Sequence, residues 1–105
     1  MSGADTQQLK INYIDGRRRL LIANAAVLAA TAALESSQTK RMAAQNALDR
    51  SLADRSNIPI TLATRYATAV RDGENATTAL EAAVEEQRVA AEAEARLLHA
   101  LAGVI

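Results

Sequence analysis

Phenylalanine, tryptophan and cysteine are missing from this chain, and tyrosine occurs only twice. Aromatic side chains are the bulkiest filler of protein cores and the usual lining of apolar pockets. Their scarcity excludes a thick core and leaves no small-molecule substrate site to be expected. Without cysteine there is neither a disulfide nor a thiolate metal ligand, and the compartment stays unassigned because such a chain suits reducing and oxidising surroundings alike. A single proline and four glycines leave few places where a helix must stop. An excess of one charge is missing too. Twelve basic residues balance twelve acidic ones, so the Lys and Arg surplus needed to neutralise a phosphate backbone is absent and no nucleic-acid partner is expected.

What the chain has instead is alanine, which supplies about a quarter of its 105 residues within a 50% hydrophobic composition. Alanine is the strongest helix former and carries almost no bulk, so the composition points to long, closely packed helices. A chain of this size buries a modest fraction of its surface, and support from a partner or a second copy is expected.

Arg17, Arg18 and Arg19 precede an apolar run from Leu20 to Leu34, which superficially has the form of a signal or membrane anchor. The leader before the arginines is long and polar, and Asn24, Thr31 and many alanines dilute the run. About 15 helical residues rise only ~22 Å, short of a ~30 Å hydrocarbon layer, so membrane insertion is not expected.

The proline divides the chain nearly in half. Asp5 with Gln8 has the spacing of a capping box, and helix is expected from about 6 to 55. Ser56, Asn57, Ile58 and Pro59 read as a stop and restart over about 56–59, with Asn57 or Ser56 capping a second helix and Pro59 in its first turn. That helix is expected over about 60–102, with Gly103 as its C-terminal cap and a possible kink at 72–75. Polar patches at Glu35 to Gln38 and Asp72 to Asn75 also permit a four-helix bundle, and a continuous rod is the third topology. The expected fold is a single all-α domain over 1–105. Two long Ala-rich helices joined near Asn57–Pro59 form an antiparallel helical hairpin of coiled-coil type, expected to be oligomeric.

Apolar spacing supports this reading. In the first half Leu20, Val27, Leu34 and Leu48 fall on multiples of seven, with Leu21, Leu28 and Met42 beside them and the polar residues Asn24, Thr31, Gln38 and Gln45 between. In the second half Leu62, Tyr66, Ala69, Gly73, Ala76, Leu80, Ala83, Gln87, Ala90, Glu94, Leu97, Leu101 and Val104 alternate by four and three. A reversal near Asn57 sets Leu52 against Leu62, Leu48 against Tyr66, Met42 against Gly73, Leu34 against Leu80, and Tyr13 or Ile14 against Leu101. It also brings Lys40 and Arg41 near Asp72 and Glu74, and Arg17 to Arg19 near Glu92 and Glu94. The first half is net basic and the second net acidic, which favours their pairing. The interaction seam is thus expected at Leu20, Leu21, Asn24, Val27, Leu28, Leu34, Leu48, Leu62, Tyr66, Leu80, Leu97, Leu98 and Leu101. Of these, Leu21, Leu28 and Leu98 are expected to meet another chain, with Asn24, Gln38 and Gln45 setting its register.

Reactive constellations are hard to find. His99 is the only histidine and has no second imidazole with which to hold a metal. Glu81, Glu85, Glu86, Glu92 and Glu94 read as a solvated helix face with i,i+3 and i,i+4 partners in Arg88 and Arg96. Consecutive arginines point to three sides of a helix and make no anion site. There is no phosphate-binding glycine loop and no nucleophile with a base at recognisable spacing. No catalytic residue, cofactor or metal is expected. Tyr13, Gly16, Leu20, Leu21 and the Ala-rich stretch to Leu34 resemble the helical hairpins of TolC-type outer-membrane channels, whose barrel strands have no counterpart here, and no family is assigned. The expectation is a non-enzymatic structural or interaction protein assembling through helix packing into a homo-oligomer or a larger structure of virion, tail, channel or secretion type. The alternative is an adaptor or chaperone-like hairpin that accepts a helix of a different protein.

Overall fold

The computed structural model describes residues 3–54 and 59–104, and these form two α-helices: α1, Gly3–Asp54, and α2, Ile60–Ala102. Both are unbroken, so neither the polar patch at Glu35 to Gln38 nor that at Asp72 to Asn75 ends a helix, and the four-helix alternative is excluded. The two helices pack as an antiparallel hairpin. Residues 55–58, where the reversal was expected, and with them the proposed Ser56 and Asn57 caps, lie outside the described residues.

The helix ends differ in detail from expectation. Because α1 starts at Gly3, Asp5 sits inside the first turn, where a carboxylate complements the helix dipole, and does not precede the helix as a cap. Pro59 lies just outside α2, and its carbonyl accepts the first bonds of the helix from the Leu62 and Ala63 amides at 3.1 and 3.2 Å. At the other end the Gly103 amide donates to the His99 carbonyl at 3.1 Å, and no described glycine takes a positive φ. Gly103 therefore continues the last turn, and the left-handed cap expected there is not formed.

Contacts divide the chain into two compact units, one built from Met1–Leu28 and Ala82–Ile105, the other from Ala29–Glu81. In the first, Gly16, Ala23 and Ala90 are buried while Tyr13, Leu20, Val27, Gln87, Glu94, Leu97 and Leu101 are half-buried around them. In the second, Ser37, Ala44 and Ala69 are buried, flanked by half-buried Leu34, Leu48, Leu62, Tyr66, Gly73, Ala76 and Leu80. Of the second-helix positions expected on the seam all but Leu98, which is exposed, are buried or half-buried. The first helix needs a correction. Its large residues Leu20, Val27, Leu34 and Leu48 stand as expected and Asn24 and Thr31 are half-buried, but Ala23, Ala30, Ser37 and Ala44, each one residue before Asn24, Thr31, Gln38 and Gln45, share the seam, and Ala23, Ser37 and Ala44 are its buried positions. Gln38 and Gln45 are exposed, and Leu52 is half exposed beside a half-buried Ser51.

Small residues at every seventh position explain this choice. In an antiparallel pair a large side chain of one helix packs over a small one of the other, and small residues let the axes approach closely. Large-against-large pairing would hold the axes apart and leave the alanines without neighbours. The register shifts accordingly. A Cβ built on Gly73 would lie 3.3 Å from the Ser37 hydroxyl, so Ser37 takes the place expected for Met42, which is exposed. Leu34 shares a groove with Val70, Gly73 and Thr77, one turn short of Leu80. A Cβ on Gly16 would lie 2.5 Å from Leu97 Cδ1 and 3.8 Å from its Cγ, so Leu97 occupies the space that glycine leaves.

The two seam glycines should respond oppositely to alanine. Each substitution gains about 1 kcal/mol of helix propensity. At Gly16 the new methyl displaces Leu97, and overpacking of this kind costs about 1–3 kcal/mol, so Gly16→Ala is expected to lower the melting temperature. At Gly73 the Ser37 hydroxyl has to give by only a few tenths of an ångström, and Gly73→Ala is expected to raise it. Thermal denaturation followed by circular dichroism checks both; a higher melting temperature for Gly16→Ala would show that the Leu97 contact does not constrain the seam.

Candidate interaction surface

Polar residues on the seam of the first unit are used up within the chain. Gln87 Nε2 donates to Asn24 Oδ1 at 2.8 Å across the partly buried interface, which ties Asn24 to this hairpin's own register. The Tyr13 hydroxyl bonds to the Glu94 carboxylate, and that bond, with a little desolvation and the negative charge of Glu94, holds the phenol above its usual 10.0. Glu94 is therefore the seam partner of Tyr13, where Leu101 was expected.

Charge pairing lies outside the seam. Arg19 makes a two-pronged contact with Glu86, 2.7 Å from Nε to Oε1 and 3.1 Å from the second nitrogen to Oε2. Glu92, one of the expected partners of the arginine triplet, instead joins Glu85 in flanking Arg88, at 2.7 and 2.6 Å. The bonds to arginine hold Glu85 and Glu86 below the usual carboxylate value of 4.5. All these pairs are solvent-exposed, so screening limits what they add to stability, and they serve to fix the solvated side of α2.

Large aliphatic side chains sit on the opposite account. Within the first unit Ile11, Ile14, Leu21, Ile22 and Leu28 of α1 are exposed, Ile22 by 72% and Leu28 by 73%. Leu98 and Val84 of α2 are exposed to a lesser degree. Leu21, Leu28 and Leu98 were read from the sequence as exposed flanks and lie there, whereas Leu97 belongs to the seam. Ile22 and Ile11 were not among the expected seam residues and Ile14 was expected only opposite Leu101, although their spacing from Leu21 by one, ten and seven residues is visible in the sequence. No large described side chain is completely enclosed, and the buried apolar residues are four alanines, of which Ala90 is fully enclosed.

Two grooves flank the seam of the second unit. One, of about 440 Å³, has Ala43, Ala44 and Ala69 as its floor and Lys40, Arg65 and Asp72 on its rim; the other carries Arg41 and Glu74. The expected neighbourhood of Lys40 with Asp72 and of Arg41 with Glu74 is present as shared groove walls, but no ion pair joins either couple. The Ser37 hydroxyl, buried between the grooves, has no hydrogen-bond partner among the described residues and lies over Gly73. His99 is exposed near the end of α2, and among the described residues no group of three or more His, Cys, Asp or Glu is placed to hold a metal ion. Comparison of the chain with protein-family models, characterised proteins and solved structures returns no match.

The directions of these shifts set a pH window. Glu85 and Glu86 are held below 4.5, so their contribution is complete above that value and is lost as pH falls through their folded-state values. Tyr13 is held above 10.0, so its contribution is complete below pH 10.0 and is lost as pH rises through its folded-state value. The melting temperature is expected to be flat between these limits and to fall on both sides. Tyr13→Phe should abolish the part of the alkaline fall that Tyr13 causes while leaving the acid side unchanged; an identical alkaline profile in the variant would show that the Glu94 bond is not maintained in solution.

Proposed function

We propose that this chain is a non-enzymatic assembly component, which joins copies of itself or other helical proteins through the outer face of α1. One observation carries the reading: Ile11, Ile14, Leu21, Ile22 and Leu28 are exposed on one helix, while the buried apolar positions are Ala23, Ala44, Ala69 and Ala90. Ordering a residue costs about 1–2 kcal/mol of backbone entropy, and an alanine seam without disulfide or metal offers little with which to offset it. Covering Leu21, Ile22 and Leu28 supplies the missing apolar burial. Exposed stripes of this kind mark association surfaces. A hairpin that accepts a foreign helix in the Ala-floored groove beside Lys40 and Arg65 would use the second unit instead.

Sedimentation equilibrium separates these readings. The purified chain is expected to be oligomeric at micromolar concentration, and Leu28→Glu to weaken association at least tenfold, since burying one leucine is worth about 1.5–3 kcal/mol. The control Ala43→Glu, in the groove of the second unit, should leave the mass unchanged. A stably folded monomer in the wild type would overturn the self-assembly reading.

A further inference from the structure

The outer face of α1 has a repeat of its own. Ile14, Leu21 and Leu28 are spaced by seven, Arg18 and Ala25 fall between them by four and three, and all five are exposed. This is the period of a coiled-coil seam, carried one residue after the large positions Tyr13, Leu20 and Val27 of the hairpin's own seam. A helix face that only met water would have no need of it.

We propose that this face pairs with the same face of a second copy, antiparallel, about a two-fold axis at Leu21. The inference rests on the assembly reading above and names its partner and its register. The three aliphatic positions are symmetric about Leu21: reversal sets Ile14 against the partner's Leu28, Leu28 against the partner's Ile14, and Leu21 against the partner's Leu21. Such self-complementarity is what an isologous two-fold interface requires. In that register Ala25 lies level with the partner's Arg17 and Arg18 with the partner's Asn24, and the small Ala25 leaves room for the arginine stem while the guanidinium reaches water.

Charge decides the direction. A parallel pair would also match large with large, but it would stack Arg17, Arg18 and Arg19 against their own copies. Reversal offsets the centres of the two arginine clusters along the axis by about six residues of helix, roughly 9 Å, where a parallel pair would set them level. Area decides that the contact is sufficient. Ile11, Ile14, Leu21, Ile22 and Leu28 each leave on the order of 100 Å² to be covered. Both copies together therefore approach the roughly 1,000 Å² at which a specific interface becomes stable.

A lipid bilayer is the rival occupant, because α1 contains an 18-residue window of mean hydropathy 1.5, long and apolar enough by composition to cross a membrane. Within the first unit, however, α2 lies alongside with Glu85, Glu86 and Arg88, and Arg19 is paired to Glu86 across the seam. Immersing the hairpin would carry those charges into hydrocarbon, where each costs several kcal/mol.

The chain has no native cysteine, so single cysteines report the register directly. Leu21→Cys is expected to form disulfide-linked dimers on mild oxidation, because residues at the axis fall within the 4.4–6.8 Å Cα range of a disulfide. Ile14→Cys alone should not link, whereas an equimolar mixture of Ile14→Cys and Leu28→Cys should give the mixed dimer. Ala95→Cys, exposed on α2, is the collisional control. Self-linked Ile14→Cys would overturn the antiparallel register while leaving assembly intact, and linkage of Ala95→Cys to the same extent as Leu21→Cys would overturn the axis. Sedimentation of the wild type as a monomer would overturn both this inference and the assembly reading. Co-sedimentation of the wild type with phosphatidylcholine–phosphatidylglycerol vesicles, with loss of the Leu21→Cys link, would assign the face to a membrane.

Discussion

Close approach of two helices through residues too small to keep them apart governs the rest of the structure. Gly16, Ala23, Ser37 and Ala44 on α1, with Ala69, Gly73 and Ala90 on α2, put almost nothing between the two backbones. Short separation brings backbone and Cβ atoms into dispersion contact along the seam, and each contact is small but the row is long. It also leaves no volume for a large side chain to be enclosed. Leu20, Val27, Leu34 and Leu80 consequently lie across the seam's edges, half-buried, and the remaining leucines and isoleucines are displaced outward.

Register follows from the same constraint. A leucine-lined seam tolerates slippage by a turn, since one leucine replaces another. Here a one-turn slip would push Leu97 against a residue larger than Gly16 and separate Ser37 from Gly73. The bond between Asn24 and Gln87 acts in the same direction, because a slipped pairing would leave two amides partly buried without partners, at about 1–3 kcal/mol each. Steric fit and polar satisfaction thus agree, which is how a low-bulk seam becomes specific. The exposed pairs of Arg19 with Glu86 and of Arg88 with Glu85 and Glu92 add direction more than stability.

Helices, their approximate limits and the second-helix seam apart from Leu98 were legible because period and composition are properties of the chain alone. The first-helix seam was half legible. Sevens at Leu20, Val27 and Leu34 are unambiguous, but whether the companion lies three or four residues on depends on what the partner presents. Polar Asn24 and Thr31 and apolar Ala23 and Ala30 both satisfy the spacing. In the structure Asn24 and Thr31 stay half-buried, and the smaller Ala23, Ser37 and Ala44 take the deeper places against α2. Level pairing near Met42 and Gly73 was misplaced for a related reason. Large-to-large matching is the natural guess from sequence, whereas antiparallel packing sets large over small. Ile22 was not expected on a face of its own, and Ile14 was expected only opposite Leu101, because a single seam treats every other apolar residue as its flank.

A helix with two seven-residue repeats one position apart has two faces to cover, and α1 is such a helix in the first unit while α2 is not. The side of α2 away from the seam carries Glu85, Glu86, Arg88 and Glu92, paired with one another or with Arg19, and is at home in water. This asymmetry means that the two helices cannot exchange roles. In an assembly built as proposed, α1 occupies the interior and α2 the exterior, each copy presenting charge outward and isoleucine and leucine inward. The thinness of the hairpin's own seam then has a purpose. It holds two helices in register with little bulk, and leaves the large side chains to join one copy to the next.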